Sequence, residues 1–252
     1  STNDTVTLGA QATGITLDLD AGNDTLILGA FINTVTVSNV ETITGGSTND
    51  TVTLGAQATG ITVDLAAGLD KLILGDFVNT VTVSNVETIV GGATDDALIF
   101  GGAVTGATVD LGDGDDTLTL ADAGGTVTVS NVETVTGSTA DDVVTLSGQA
   151  TGTVVDLDDG NDILVLGANV NTVTVSNVET ITGGASADTV TLATQATGMI
   201  VDLAGGSDKL VLGDFENTVS IANVETVTGG ASADVVILTA QSTGASIDLA
   251  GE

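Results

Sequence analysis

The chain has 252 residues, and 34 Asp and Glu stand against two Lys, for a formal net charge of −32. It contains no His, Cys, Pro, Trp or Tyr, so a Ser-His-Asp triad, a Cys nucleophile and a His or Cys zinc site all lack their residues, and nucleic-acid binding lacks both a basic face and stacking platforms. The hydrophobic fraction of 42%, mostly Val, Ile and Leu, excludes the apolar-poor composition of acidic disordered chains, and no apolar run approaches the ~20 residues of a membrane span.

Taken in chain order, Val6 and Leu8, then Ile15, Leu17 and Leu19, then Leu26 and Leu28, then Val35 and Val37 alternate with Thr, Ser or Asp. This period of two predicts short half-buried strands, and no 3.6-residue stripe predicts a helix. Gly-rich turns such as Ala21-Gly22 and Gly45-Gly46 separate the strands. The opening segment STNDTVTLGAQATGIT (1–16) returns almost unchanged at 47–62. An Asp recurs at one point of the pattern, as Asp4, Asp24, Asp50, Asp70, Asp96, Asp116, Asp142, Asp162, Asp188, Asp208 and Asp234. Its intervals alternate without exception, short as from Asp4 to Asp24 and long as from Asp24 to Asp50.

The repeat unit therefore runs from Ser1 to Gly46, a short half and a long half. It fills the whole chain as one repeat domain, 1–252, with units 1–46, 47–92, 93–137, 138–184, 185–230 and a partial 231–252. Such a period signals a solenoid. The expectation is an all-β, right-handed parallel β-solenoid of about eleven coils, each short or long segment forming one coil. Val6 then stacks on Leu26 and next on Val52, and all eleven Asp fall in single file on one edge, about 4.8 Å apart.

Other columns follow from the same stacking. Asn39, Asn85, Asn131, Asn177 and Asn223 form an amide ladder at the turn, with Glu41, Glu87, Glu133, Glu179 and Glu225 as a solvated column beside it. Phe31, Phe77 and Phe215 read as a local apolar plug, and Thr34, Thr80, Thr126, Thr172 and Thr218 as an outward hydroxyl row.

The acidic glycine turns carry the chemistry. Neighbouring aspartates in such a file repel by roughly 0.9 kcal/mol each even at the dielectric of water, and two lysines cannot neutralise them. Ca²⁺, which takes six to eight oxygens from carboxylates and turn carbonyls, could. The candidate ligands are Asp18, Asp20, Asp24, Asp50, Asp96, Asp110, Asp113, Asp116, Asp142, Asp156, Asp158, Asp162, Asp188 and Asp234. The alternative is a column of Asx-type turns whose carboxylates bond backbone amides and leave their charge to solvent.

The turns DAGNDTLIL (20–28), GDGDDTLTL (112–120) and DDGNDILVL (158–166) resemble the calcium-binding nonapeptide of the RTX, or haemolysin-type, repeat family. The resemblance implies a secreted parallel β-roll with several Ca²⁺ per chain. Carried over by position, it assigns the ligand role to Asp24, Asp116 and Asp162, with weaker matches at Asp70 and Asp208. GGSTND (45–50), GGATDD (91–96) and GGASAD (183–188 and 229–234) keep two of the family's glycines and lose the third. The turns that precede Lys71 and Lys209 are poorer in acid and are expected to bind Ca²⁺ more weakly.

The function expected is that of a structural, non-catalytic extracellular rod of a bacterial surface or matrix: a filament, a surface layer, or the stalk of an adhesin. Its partners are expected to be copies of itself, through uncapped coil ends, and divalent cations. Neither nucleic acid nor membrane insertion is expected. An ice-binding face is disfavoured because the equivalents of Thr16 become Val154 and Ile200. A polysaccharide-cleaving enzyme is disfavoured because the carboxylates are spread evenly, with no aromatic or basic partners for sugar.

Overall fold

A computed structural model describes residues 2–240 and 244–249. Among them the only regular element is the β-strand, and no helix is long and apolar enough to cross a membrane. The first repeat forms β1 (Thr5–Thr7), β2 (Thr13–Asp18), β3 (Thr25–Ile27), β4 (Thr34–Ser38) and β5 (Thr42–Gly46). The next forms β6 (Thr51–Leu54), β7 (Thr59–Ala66), β8 (Lys71–Ile73), β9 (Thr80–Ser84) and β10 (Thr88–Gly92). Odd strands build one sheet and even strands the other. The pairings are parallel, as in β1 with β3, β3 with β5 and β4 with β6. The fold is thus the parallel β-solenoid that the sequence predicts.

The chain divides into two compact units, Ser1–Ala123 and Gly124–Glu252. The first continues from β10 through the strands Ala97–Phe100, Val104–Gly112 and Thr117–Thr119. The second repeats the plan, from Gly125–Ser130 to Ser246–Asp248.

The coil assignment, in contrast, is corrected. A turn of the solenoid holds two strands, and its length varies: the turn that carries Thr25 onto Thr42 is shorter than the one that carries Thr42 onto Thr62. Each of the first two repeats carries five strands, so it makes two and a half turns. The short half of the repeat, with two strands, is one full turn; the long half, with three, is one and a half. Val6 does stack on Leu26, but Leu26 then pairs with Ile43, while Val52 lies in the other sheet between Val35 and Leu72. The turns are correspondingly shorter and more numerous than the eleven coils expected.

Every feature that recurs once per repeat therefore alternates between opposite sides. Asp4 and Asp24 precede odd strands, whereas Asp50 and Asp70 precede even ones, so the single file of eleven aspartates does not form. The same holds for the Asn39, Glu41 and Thr34 series. The hydroxyl row that does form in the first unit runs Thr5, Thr25, Thr42, Thr62, Thr82 along the odd sheet.

Packing explains why so few aromatics suffice. Alternate residues of both sheets point inward and stack in register: Leu26, Ile43, Val63 and Val83 in one, Val35, Val52, Leu72 and Ile89 in the other, all buried. Each aliphatic side chain so buried contributes about 1.5–3 kcal/mol, and similar neighbours above and below leave little space to fill. Phe31, Phe77 and Phe215 are not a plug. Each ring lies against the glycine two positions before it, Gly29, Gly75 or Gly213, and remains 37–40% exposed. The Gly45-Gly46 pair is fixed by close backbone approach, because a Cβ on either would collide with the carbonyl of Leu65 or Gly29.

Candidate functional site

The recurring acids sit immediately before the strands, where the chain turns a corner and its first amide has no partner within its own turn. Along the edge that leads into the even strands of the first unit, side chains fill this need in sequence. Asn33 Oδ1 accepts the Ala12 N–H at 3.0 Å. The Asn33 N–H and Nδ2 both donate to Asp50 Oδ1, at 2.9 and 3.0 Å. The Asp50 N–H donates to Asp70 Oδ1 at 2.6 Å, and the Asp70 N–H to Glu87 Oε2 at 2.7 Å. Each residue so accepts from the turn before and donates to the turn after.

The opposite edge has the same order. The Asp4 N–H donates to Asp24 Oδ1 and the Asp24 N–H to Glu41 Oε2, both at 2.6 Å. Further along, Ala58 donates to Asn79, Asn79 to Asp96 and Asp96 to Asp116. The second unit carries Ala150, Asn171, Asp188, Asp208 and Glu225 in one such ladder, and Asp142, Asp162 and Glu179 in another. A third runs from Ala196 through Asn217 to Asp234. The third repeat departs from the pattern. Gly125 replaces the ladder Asn, and the Ser138 amide and hydroxyl reach Asp142 Oδ2 instead.

Of the expected metal ligands, Asp24, Asp50, Asp96, Asp116, Asp142, Asp162 and Asp188 are at most 2% exposed, and Asp234 is half-buried. Asp18 and Asp156 belong to a different device. Their Oδ1 atoms accept their own i+2 amides, at 3.0 and 3.3 Å, and the Nδ2 of Asn39 and Asn177, at 2.6 and 2.7 Å. The Asn39 bond, helped by the Asp20 amide, holds the Asp18 carboxyl below its ordinary value. Asp20, Asp113 and Asp158 are exposed, and Asp110 is half-buried. The Glu series is not solvated as a column, because Glu41, Glu87, Glu179 and Glu225 each cap a buried aspartate amide.

The electrostatics are unusual. The second carboxylate oxygen of Asp24, Asp50, Asp70, Asp96, Asp162 and Asp208 is buried without a hydrogen-bond partner. Burial pushes Asp70 and Asp162 up to about 6, against the pull of the Asp50 and Asp142 amides and with the repulsion of Glu87 and Glu179. Asp96 and Asp208 are raised for the same first reason.

A Ca²⁺ ion needs six to eight oxygens, whereas Asp24, Asp50, Asp70, Asp96, Asp162 and Asp208 each have only one oxygen without a hydrogen bond and Asp188 uses both of its own. Among the described residues no group of three or more acidic side chains is placed to hold a metal ion. The buried aspartates therefore do not fit a calcium cage; their geometry is that of a corner cap. Asp24, Asp70, Asp116, Asp162 and Asp208 occupy one equivalent slot, whether the turn before them is rich or poor in acid. Lys71 and Lys209 open strands on the outward face, with Leu72 and Leu210 buried next to them.

The ladder residues absent from the sequence expectations are Asn33, Asn79, Asn171 and Asn217. All are at most 1% exposed. Each precedes a Thr-Val pair, so the recurrence is visible in the sequence, but an asparagine beside exposed-looking threonines carries no mark of burial. No protein-family model matches the chain, and no curated protein matches its sequence.

Proposed function

We propose that this chain is a structural module, a β-solenoid of the bacterial exterior that serves in a surface filament, surface layer or matrix fibre, or as the spacer of a larger adhesin. The observation that supports this reading is where the acidic chemistry is spent. The recurrent Asn, Asp and Glu of the corners are spent in hydrogen bonds between successive turns in both units, as in Asn33, Asp50, Asp70 and Glu87 and again in Asn171, Asp188, Asp208 and Glu225. Such a ladder ties each turn to its neighbours within a unit, the architecture of a repeat spacer.

Divalent cations enter the proposal as bridging counter-ions of the exposed turn carboxylates, Asp18, Asp20, Asp113 and Asp158 among them, between copies of the protein. The charge of −32 keeps such copies apart without a cation. Electron microscopy of the purified protein with CaCl₂, and again after a chelator, tests this. Ordered filaments or sheets that disperse with the chelator are the expected result. A monodisperse monomer at high concentration with CaCl₂ present contradicts the self-assembly.

A further inference from the structure

One cavity recurs in every full repeat whose corner is described. The four examples are lined by residues within 37–61, 84–107, 129–153 and 175–199, the last joined by Asp158, Asp159 and Gly160, with volumes of about 210, 160, 110 and 230 Å³. Their origin is a mismatch of corner lengths. Val37 pairs with Leu54 and Ile43 with Val63, so the corner from Leu54 to Val63 is three positions longer than the one from Val37 to Ile43. The longer loop bows outward and leaves a hollow over the shorter one. The same step recurs between Val83 and Ile89 and their partners Phe100 and Val109. It recurs again between Val175 and Ile181 and their partners Leu192 and Val201.

The lining is of two kinds. Leu54, Ala58 and Ile61 make an aliphatic floor, while Glu41, Gln57 and Thr59 stand at the rim. Gln57 is exposed and, among the described residues, makes no hydrogen bond; Glu41 is anchored by the Asp24 amide through one oxygen only. Gln149 and Gln195 occupy the same place in the third and fourth cavities, whereas the second has Ala103 there. Gln195 donates to the Glu216 carbonyl, which leaves its own side-chain oxygen as an acceptor. No cavity is lined by Lys. An anion would therefore meet the glutamate's repulsion with no cation to offset it. A neutral ring with an apolar C–H face and a rim of hydroxyls matches both parts: hydroxyls can donate to the carboxylate, exchange hydrogen bonds with the amide and threonine, and leave the ring face on the aliphatic floor.

We propose that each glutamine-bearing cavity binds one pyranose residue of a neutral polysaccharide. The protein thereby carries a saccharide contact in each such repeat, independent of how copies of it assemble. The glutamine is the residue that sets apart binding from non-binding repeats.

The test is NMR titration of the full chain with the methyl glycosides of glucose, galactose and mannose, with glucuronate, and with a neutral glucan oligosaccharide. Saturable shifts are expected at the side-chain amides of Gln57, Gln149 and Gln195, with none around Ala103. Glucuronate should bind at least about tenfold more weakly than the neutral sugar because of the rim carboxylate. Gln57→Ala should abolish the response of its own cavity and leave those of Gln149 and Gln195 intact, and its exposed position makes loss of folding no confounder. A tighter response to the oligosaccharide than to the methyl glycosides places the site on a polymer. Absence of saturable shifts with every neutral sugar overturns the proposal. So does an equal response at Ala103, or equal affinity for glucuronate.

Discussion

At the scale of single residues, two kinds of position are set by demands that run against the usual preferences of the side chains there. Asp20, Ala66, Asp158 and Ala204 have φ of 63° to 67°, and Gly112 takes the equivalent place in the third repeat at 93°. A non-glycine residue in this left-handed region is strained by roughly 1–2 kcal/mol. An Asp can offset part of that by local hydrogen bonding, but an Ala cannot. Ala66→Gly and Ala204→Gly are thus expected each to stabilise the fold by about 1 kcal/mol, measurable as a rise in urea midpoint. The second kind is the buried asparagine. Asn79 accepts from Ala58, donates twice to Asp96, and also donates to the Leu74 and Phe77 carbonyls. Asn79→Ala strands the buried Ala58 amide and leaves Asp96 Oδ1 with the backbone donor alone, and should lower stability by about 3 kcal/mol in the same measurement.

At the scale of elements, the strands are legible because their alternation of aliphatic and hydroxyl residues is nearly uninterrupted, and the stacking of Val6 on Leu26 follows from it. What the spacing conceals is the number of strands between successive aspartates. Two strands fit between Asp4 and Asp24 and three between Asp24 and Asp50, and an odd number sends the chain to the opposite side. Nothing in the identity of Asp24 and Asp50 betrays that they face different edges; only the strand count TLIL, TVTVS, TITGG between them does. The ladder they belong to has a pH signature. Asp70 and Asp162, ordinarily near 3.8, are raised to about 6 when folded, so the folded state holds protons that the unfolded chain has released. Their contribution to stability is therefore complete below pH 3.8 and is lost as pH rises through about 6. The lowered Asp18 acts oppositely, but only as pH falls below 3.8. The melting temperature should consequently rise as pH is lowered from about 7 toward about 4. Asp70→Asn together with Asp162→Asn should flatten that rise, since Asn33 and Asn79 already show an amide accommodated on the same kind of ladder. A melting temperature independent of pH across this window would contradict the assignment.

At the scale of the whole molecule, the half-turn in each repeat means that no strand sequence is specific to one sheet. Thr51–Leu54 lies in the even sheet, while its counterpart Ala97–Phe100, one repeat later, lies in the odd one. The two sheets must then be equivalent environments: parallel, aliphatic inside and hydroxyl-rich outside. The edges must be equivalent too, since both carry the Asn, Asp, Asp, Glu order. This equivalence makes an unusual deletion tolerable. Excising 47–92 joins Gly46 to Ala93 and removes two and a half turns, so every strand of the first unit beyond the junction changes sheet and every corner changes edge. In a solenoid with two chemically distinct faces such a change would bury polar residues and expose aliphatic ones. Here Leu98 and Val109 would enter positions held by Val52 and Val63, both fully buried. Asp96 would take the place of Asp50, accepting the amide and side chain of Asn33 as Asp50 does now. The ladder from Ala12 would then continue through Asn33, Asp96, Asp116 and Glu133 without a gap. The shortened chain should keep the far-ultraviolet circular dichroism of a parallel β-sheet, per residue, and unfold cooperatively. Collapse to a disordered spectrum would show that the faces are not interchangeable, and with it that the two-and-a-half-turn repeat is not what organises the fold.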